Sequence, residues 1–276
     1  MKKISLIYIS LAMCVLLTIL FSIYKNNIKK DKTIINNGKI YSGKTFKVAT
    51  NAGYRPFENI ELDENGEKNY IGFDIDLLKQ ISEVLGFKYE IIDMDFNGLI
   101  GSLNSKRADL VIAAMNYTEE RAKSVDFSDP YYYSKIAIVY PEKNPIKTIS
   151  EIKDKKISVM FGTVQEEYAY KFGAEVTSLN DETLVSLELF NKKVDAFMTD
   201  DSTVPASLEK HPGYKVTVFS NKELGNIKPS TMNIAFPKGS SLVSEFNKCI
   251  NQFQTDGTIN KLIEKWLGKD FVVKDS

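Results

Sequence analysis

Arg121 is the side chain best suited to grip an anion. It closes the run Ala113-Ala-Met-Asn-Tyr-Thr-Glu-Glu-Arg121, which follows a strand and opens a helix. Thr118 fits the N-cap, and that puts Arg121 in the first helical turn. A cation there opposes the helix dipole. The placement makes sense where an anion docks among free N–H groups and a guanidinium. Arginine is scarce, with Arg55, Arg107 and Arg121 against 33 lysines, as if a planar bidentate fork were needed. The competing reading is a solvated arginine offset by Glu119 and Glu120. A second strand-to-helix junction, Gly162-Thr-Val-Gln-Glu166, holds the capping box Thr163-x-x-Glu166. Its N–H groups could serve the same anion or merely start a helix. Asp200 follows a strand, where carboxylates of α/β proteins line a crevice and can meet an ammonium. Asp200 could equally cap the next helix, a role for which Asp201 competes. Tyr54 and Phe96 lie in loops beside Gly and Pro and could wall a cleft, whereas Phe57 suits a core. The paired acids Asp74 and Asp76 read better as helix-start charges, with Asp74 the cap, than as an acid–base couple.

Composition removes several classes of chemistry. The 276 residues carry 36 Lys+Arg and 36 Asp+Glu, so the basic excess of a general nucleic-acid binder is missing. One histidine, His211, gives no cluster for zinc and disfavours a Ser-His-Asp or Cys-His nucleophile. Cys14 and Cys249 form no CxxC pair, and no metal or cofactor motif is present. With 43% hydrophobic and 26% charged residues, the chain reads as folded and globular.

The elements that must carry these residues alternate. Strands are predicted at Phe46–Thr50, Tyr89–Ile92, Asp109–Ala113, Ile136–Tyr140, Ile157–Met160, Val176–Leu179, Ala196–Met198, Lys215–Phe219 and Met232–Phe236. Asp74–Gly86 has apolar residues at 77, 78, 81, 84 and 85, the 3.6-residue period of a helix, with a glycine stop. Further helices are predicted near 98–106, 165–172, 181–191, 201–210, 241–254 and 258–267. Such alternation implies α/β layers with parallel sheets.

The N-terminus reads as a membrane signal. Twenty-one uncharged residues, Ile4 to Tyr24, follow Lys2 and Lys3, and a spanning helix needs ~20. An uncleaved anchor leads. A lipoprotein comes second, because Leu11-Ala-Met-Cys14 resembles a lipidation box with Met13 at its small position. A cleaved signal comes third, lacking an A-x-A site. Each reading places the rest of the chain outside the cytoplasm. Residues 25–43, rich in Lys and Asn, read as a flexible tether.

Several runs together carry a family likeness. They are Tyr54-x-Pro-Phe57, Gly72-Phe-Asp-Ile-Asp-Leu77, Met94-Asp-Phe-x-Gly-Leu-Ile100, Thr118-Glu-Glu-Arg121, Val125-Asp-Phe-Ser-x-Pro-Tyr-Tyr132 and Asp256-Gly-Thr with Lys265-Trp-Leu-Gly268. In this order and spacing, over residues 44–270, the chain resembles the bacterial family 3 extracellular solute-binding proteins, the amino-acid receptors of ABC importers. The resemblance implies a two-lobed, type II periplasmic-binding-protein fold. Lobe 1 would comprise 44–130 plus 230–270 and lobe 2 would comprise 136–224, with hinge strands near 131–135 and 225–230. It implies that Arg121 clasps a ligand α-carboxylate, helped by the backbone N–H groups of Asn116 and Val164. Asp200 would take the α-ammonium, with the Ala114 carbonyl and the Asn116 side chain nearby. Tyr54 and Phe96 would sandwich the ligand side chain, and Asn51, Met160 and Gln165 would read its identity.

The chain also departs from the family pattern. Members that bind Lys or Arg commonly carry an acid where this chain has Asn51. Asn116 replaces a usual Ser or Thr, and Ala114 replaces a small Ser or Gly. Met160 and Phe161 leave that wall apolar. A neutral amide does not offset a buried cation, so the expected ligand has an uncharged side chain: polar, such as Gln, Asn or cystine, or medium apolar. The implied protein is a monomeric receptor without cofactor that partners an ABC permease and is not an enzyme. The alternatives are an enzyme of the same fold, similar to cyclohexadienyl dehydratase, for which Glu58 is the one spare acid, or a ligand-sensing ectodomain.

Overall fold

The computed structural model describes residues 39–225 and 230–272. The expected N-terminal anchor or signal segment, most of the tether and residues 226–229 of the second hinge strand lie outside them. Among the described residues no helix is long and apolar enough to cross a membrane. Tyr41, assigned to the tether by sequence, donates its N–H to Leu85 O at 3.0 Å and packs edge-on against Phe46.

The first lobe runs through β1 (Thr45–Thr50), the hairpin β2 (Asn59–Leu62) and β3 (Lys68–Ile71), α1 (Phe73–Leu85) and β4 (Lys88–Asp93). A 3₁₀ turn at Phe96–Gly98 leads to α2 (Leu99–Asn104), β5 (Leu110–Val111), α3 (Glu119–Ala122), β6 (Val125–Phe127) and β7 (Tyr132–Ser134). The second lobe holds β8 (Ile136–Pro141), β9 (Lys156–Met160), α4 (Val164–Lys171), β10 (Glu175–Leu179), α5 (Glu182–Phe190), β11 (Ala196–Asp200), α6 (Val204–Leu208) and β12 (Tyr214–Val218). The chain returns through β13 (Ser230–Met232) and β14 (Ala235–Pro237) and ends in α7 (Leu242–Thr255) and α8 (Thr258–Trp266).

Two five-stranded sheets result, ordered β4-β1-β5-β14-β6 and β10-β9-β11-β8-β12. Both are mixed, which corrects the expectation of parallel sheets. β14 runs antiparallel to β5 and β6, and β8 runs antiparallel to β11 and β12. The cause is the double crossing between lobes. A parallel neighbour needs a crossover of a dozen or more residues, whereas β7 and β13 lead directly into β8 and β14. Those two crossing strands pair antiparallel, with Ser134 opposite Ser230 and Tyr132 opposite Met232.

The amphipathic pattern of α1 buries Phe73, Leu77, Leu78, Ile81 and Leu85 in the core of the first lobe, where the helix packs beside α7 and α8. Each such side chain contributes about 1.5–3 kcal/mol relative to exposure. Gly86 stops α1 as expected, but Asp74 does not cap it: the N-cap is Gly72, without a side-chain bond. Met232–Phe236 is not one strand. Asn233 N bonds Met115 O and Ile234 N bonds Ser128 Oγ, both at 2.9 Å, and these contacts break the ladder between β13 and β14. The helix expected over 201–210 shrinks to a 3₁₀ turn, Asp201–Thr203, and the short α6.

Candidate functional site

Asp200 ends β11, and its residue is 2% exposed. Oδ2 accepts a 2.6 Å hydrogen bond from the Tyr54 hydroxyl of the other lobe. Oδ1 is buried without a partner among the described residues. The side chain does not cap the following turn; Asp201 instead accepts Lys135 N at 3.1 Å. Burial raises the Asp200 carboxyl to about 6, although the Tyr54 hydroxyl, and more weakly the polar side chains of Ser134 and Gln165 nearby, pull it back. Tyr54 is itself buried and stacks on Phe57, with centroids 6.1 Å apart.

Arg121 stands where Thr118 puts it, since Thr118 Oγ1 accepts Arg121 N at 3.1 Å as the N-cap of α3. The guanidinium donates to Asn116 O at 2.7 Å and across the lobes to Gly162 O at 2.8 Å. It lies 5.3 Å from the centroid of the Phe96 ring, a cation–π arrangement. Among the described residues no carboxylate lies within ion-pair distance of it. Burial lowers it to about 10, with the charge of Glu167 acting the other way. A desolvated guanidinium held only by carbonyls is equipped to take an anion.

Asn116 links the two charged groups. Its carbonyl holds Arg121, while its Nδ2 reaches Ser134 Oγ at 3.4 Å and Ser230 Oγ at 3.0 Å. Ser134 in turn lies close enough to Asp200 to lower its carboxyl. Gln165 joins the Asp200 side of this network, while Val164 opens α4 with Thr163 as its N-cap. Thr163 Oγ1 accepts Glu166 N, but Glu166 reaches Gly162 N at 2.7 Å rather than the cap's own N–H. Met160 shares a buried apolar cluster with Tyr54 and Phe96, whereas Phe161 is exposed and forms no buried wall. Asn51 is turned to a backbone task, donating to Met94 O at 2.9 Å. Ala114 is buried in the left-handed region at φ +45°.

Three further acids are buried, a burial that the sequence does not reveal. Glu182 opens α5 with Oε1 unpartnered, and burial raises its carboxyl to about 8. Glu58 and Asp74 act on one another in the core, and burial raises both. Nothing in the sequence marks Glu58 as paired, because Asp74 is 16 positions away and reads as a cap. Beside Tyr54 the seam between lobes opens into a cavity of about 220 Å³, lined by Gly53, Arg55 and Asn59 on one side and Glu182, Phe190 and His211 on the other. His211 stacks flat on Phe190 with centroids 3.6 Å apart.

The arginine-binding extracellular protein ArtP of Bacillus subtilis (strain 168) is 32% identical over 238 residues, covering 84% of this chain and 89% of the relative. The L-cystine-binding protein TcyJ of Escherichia coli (strain K12) is 30% identical over 248 residues, covering 87% and 88%. The solved structure of an ancestral arginine-binding protein bound to arginine matches with TM-score 0.71 and 38% identity, covering 81% of this chain and 98% of that one. The profile of the bacterial extracellular solute-binding proteins, family 3, matches residues 46–269, and the chain belongs to that family.

Proposed function

We propose that this protein receives a free amino acid in the seam between its lobes, outside the cytoplasm, and delivers it to an ABC permease in the membrane. The carrying observation is the pair of unmatched charges: among the described residues Arg121 has no carboxylate partner and Asp200 keeps an unpartnered oxygen, with Asn116 and Ser134 beside them. A zwitterion supplies both missing partners at once. An unpaired buried charge costs several kcal/mol, so a ligand that completes both lobes favours the closed form by differential contact. Arg121 takes the carboxylate together with the N–H groups of Asn116 and Val164. Asp200 takes the ammonium, with the Ala114 carbonyl beside it. Tyr54 and Phe96 flank the side chain.

The ligand side chain is uncharged in this reading. Asn51 and Gln165 are neutral amides, and Met160 is apolar. The nearby acids Glu58 and Glu182 are held toward their neutral forms by burial. The relatives divide on this point, since ArtP is an arginine-binding protein and TcyJ a cystine-binding one. Lobe 1 spans 44–130 plus 230–270 and lobe 2 spans 136–224. The apolar run before residue 25 tethers a monomer to the outer face of the membrane, as an uncleaved anchor or a lipoprotein. A thermal-shift screen against all amino acids tests the reading. Glutamine, asparagine or cystine should raise the melting temperature by mass action, about 2.7 kcal/mol of stabilisation at 100-fold over Kd. A stronger response to arginine or lysine overturns the uncharged assignment, and silence from every amino acid overturns the receptor reading.

A further inference from the structure

We infer that Asp74, held by Glu58, is a positioning residue for the amino-acid site: it pins the Ala114–Asn116 turn on which Arg121 is anchored. The inference rests on the receptor reading above. Asp74 Oδ2 accepts the backbone N–H of Ala114 at 2.7 Å and the hydroxyl of Tyr131 at 2.9 Å. The residue is fully buried, far from the surface role its place at a helix start suggests. Ala114 sits at φ +45°, a conformation that an L side chain adopts only when its surroundings impose it. Two residues on, Asn116 O takes the Arg121 guanidinium, and Met115 O between them takes Asn233 N at 2.9 Å. The turn is thus fixed at three successive residues, and Asp74 is the side chain that fixes its first.

Glu58 completes the support. Glu58 Oε2 and Asp74 Oδ1 are both buried without a donor among the described residues, and each carboxyl shifts the other. One proton between them satisfies both. Glu58 is the more strongly shifted toward its neutral form, by burial and then by the charge of Asp74. Glu58 is therefore the donor of the pair, and Asp74 Oδ2 stays an acceptor for both Ala114 and Tyr131. Buried polar groups of this kind are costly unless fully matched.

The test is a mutant cycle read by calorimetry on the full chain, with the amino acid that raises the melting temperature most. Asp74→Ala should weaken affinity at least tenfold. Asp74→Asn keeps an oxygen for Ala114 N and should stay within threefold of wild type. Ala114→Gly, which tolerates the left-handed turn without help, should restore most of the loss when combined with Asp74→Ala. A fall in melting temperature for Asp74→Ala with affinity unchanged would make the role merely structural and overturn the inference. If Asp74→Ala does not fold, amide exchange on the wild type decides. An Ala114 amide protected like those of Ala49 and Ile112 in the core supports it, and a rapidly exchanging one overturns it. That measurement needs no ligand, so it separates failure here from failure of the receptor reading.

Discussion

The Tyr54 hydroxyl donates a 2.6 Å hydrogen bond to Asp200 Oδ2, joining the two lobes through residues 146 positions apart. This bond defines what the carboxylate has left to offer. One oxygen is engaged, and the other is buried and unmatched. A donor to the charged form lowers a carboxyl pKa, so Tyr54 keeps Asp200 ionised at lower pH than burial alone would allow.

Removing that hydroxyl has a defined consequence. Tyr54→Phe should shift the acid limb of amino-acid binding upward by about one pH unit, with affinity above pH 8 changed little. Isothermal titration from pH 5 to 9 gives both numbers. An unmoved acid limb would detach Tyr54 from the carboxylate that binds.

Asp200 itself should separate affinity from stability. Truncating one partner of a buried charge pair costs roughly 2–5 kcal/mol, or about 30-fold to several thousand-fold in affinity. Asp200→Asn should lose binding on that scale. Its melting temperature without amino acid should not fall, because the substitution removes a buried carboxyl with an unmatched oxygen. Arg121→Ala should lose binding comparably, and Arg121→Lys should recover only part, since an ammonium lacks the planar fork. Affinities within threefold of wild type for either alanine or asparagine variant remove that residue from the site.

Stability and affinity should respond to pH in opposite directions. Asp200, Asp74 and Glu182 are raised by burial to about 6, 7 and 8 from ordinary values of 3.8, 3.8 and 4.5. Between pH 4 and 8 the folded protein keeps protons that the unfolded chain has lost, so stability declines as pH rises through this window. Asp200 alone accounts for about 2–3 kcal/mol of that change. Binding an ammonium needs the ionised Asp200, so affinity should fall below pH 6, approaching tenfold per unit. Melting curves without amino acid and calorimetry in buffers of different ionisation enthalpy check the two halves. Proton uptake on binding at pH 6, rather than release, would refute the assignment.

The long periodic elements were legible in the sequence: α1, α7 and α8 fall within a residue or two of their expected bounds. Short elements set by tertiary contacts were not. β13 and β14 divide at Asn233–Ile234 because of bonds to Met115 and Ser128, residues more than 100 positions away in the chain. The hairpin of β2 and β3 did leave a signal, the Asn65-Gly66 turn between alternating residues. In the site, Thr118 and Arg121 could be read because capping is local. Ser134, Glu182 and the Glu58–Asp74 pair could not, because their roles depend on partners that only the folded chain brings near.

Closure of the lobes can be tested without touching a ligand group. Gly162 has φ +78°, and a Cβ built there would lie 3.2 Å from Asn97 Cβ and 3.4 Å from Asn97 Cα on the opposite lobe. Gly162 O also receives the Arg121 guanidinium across the same seam. Gly162→Ala therefore adds backbone strain and wedges the lobes by a few tenths of an ångström. Gly213, at φ +93° with nothing within 4 Å of its Cβ, carries the same kind of strain without the wedge. Either alanine should cost on the order of 1 kcal/mol of stability. Only Gly162→Ala should weaken amino-acid binding, by about tenfold and mainly through faster dissociation, because the bound state requires both lobes in register. Stopped-flow dissociation rates for the two variants decide it: equal rates would mean that the Asn97–Gly162 contact is no part of the closed form.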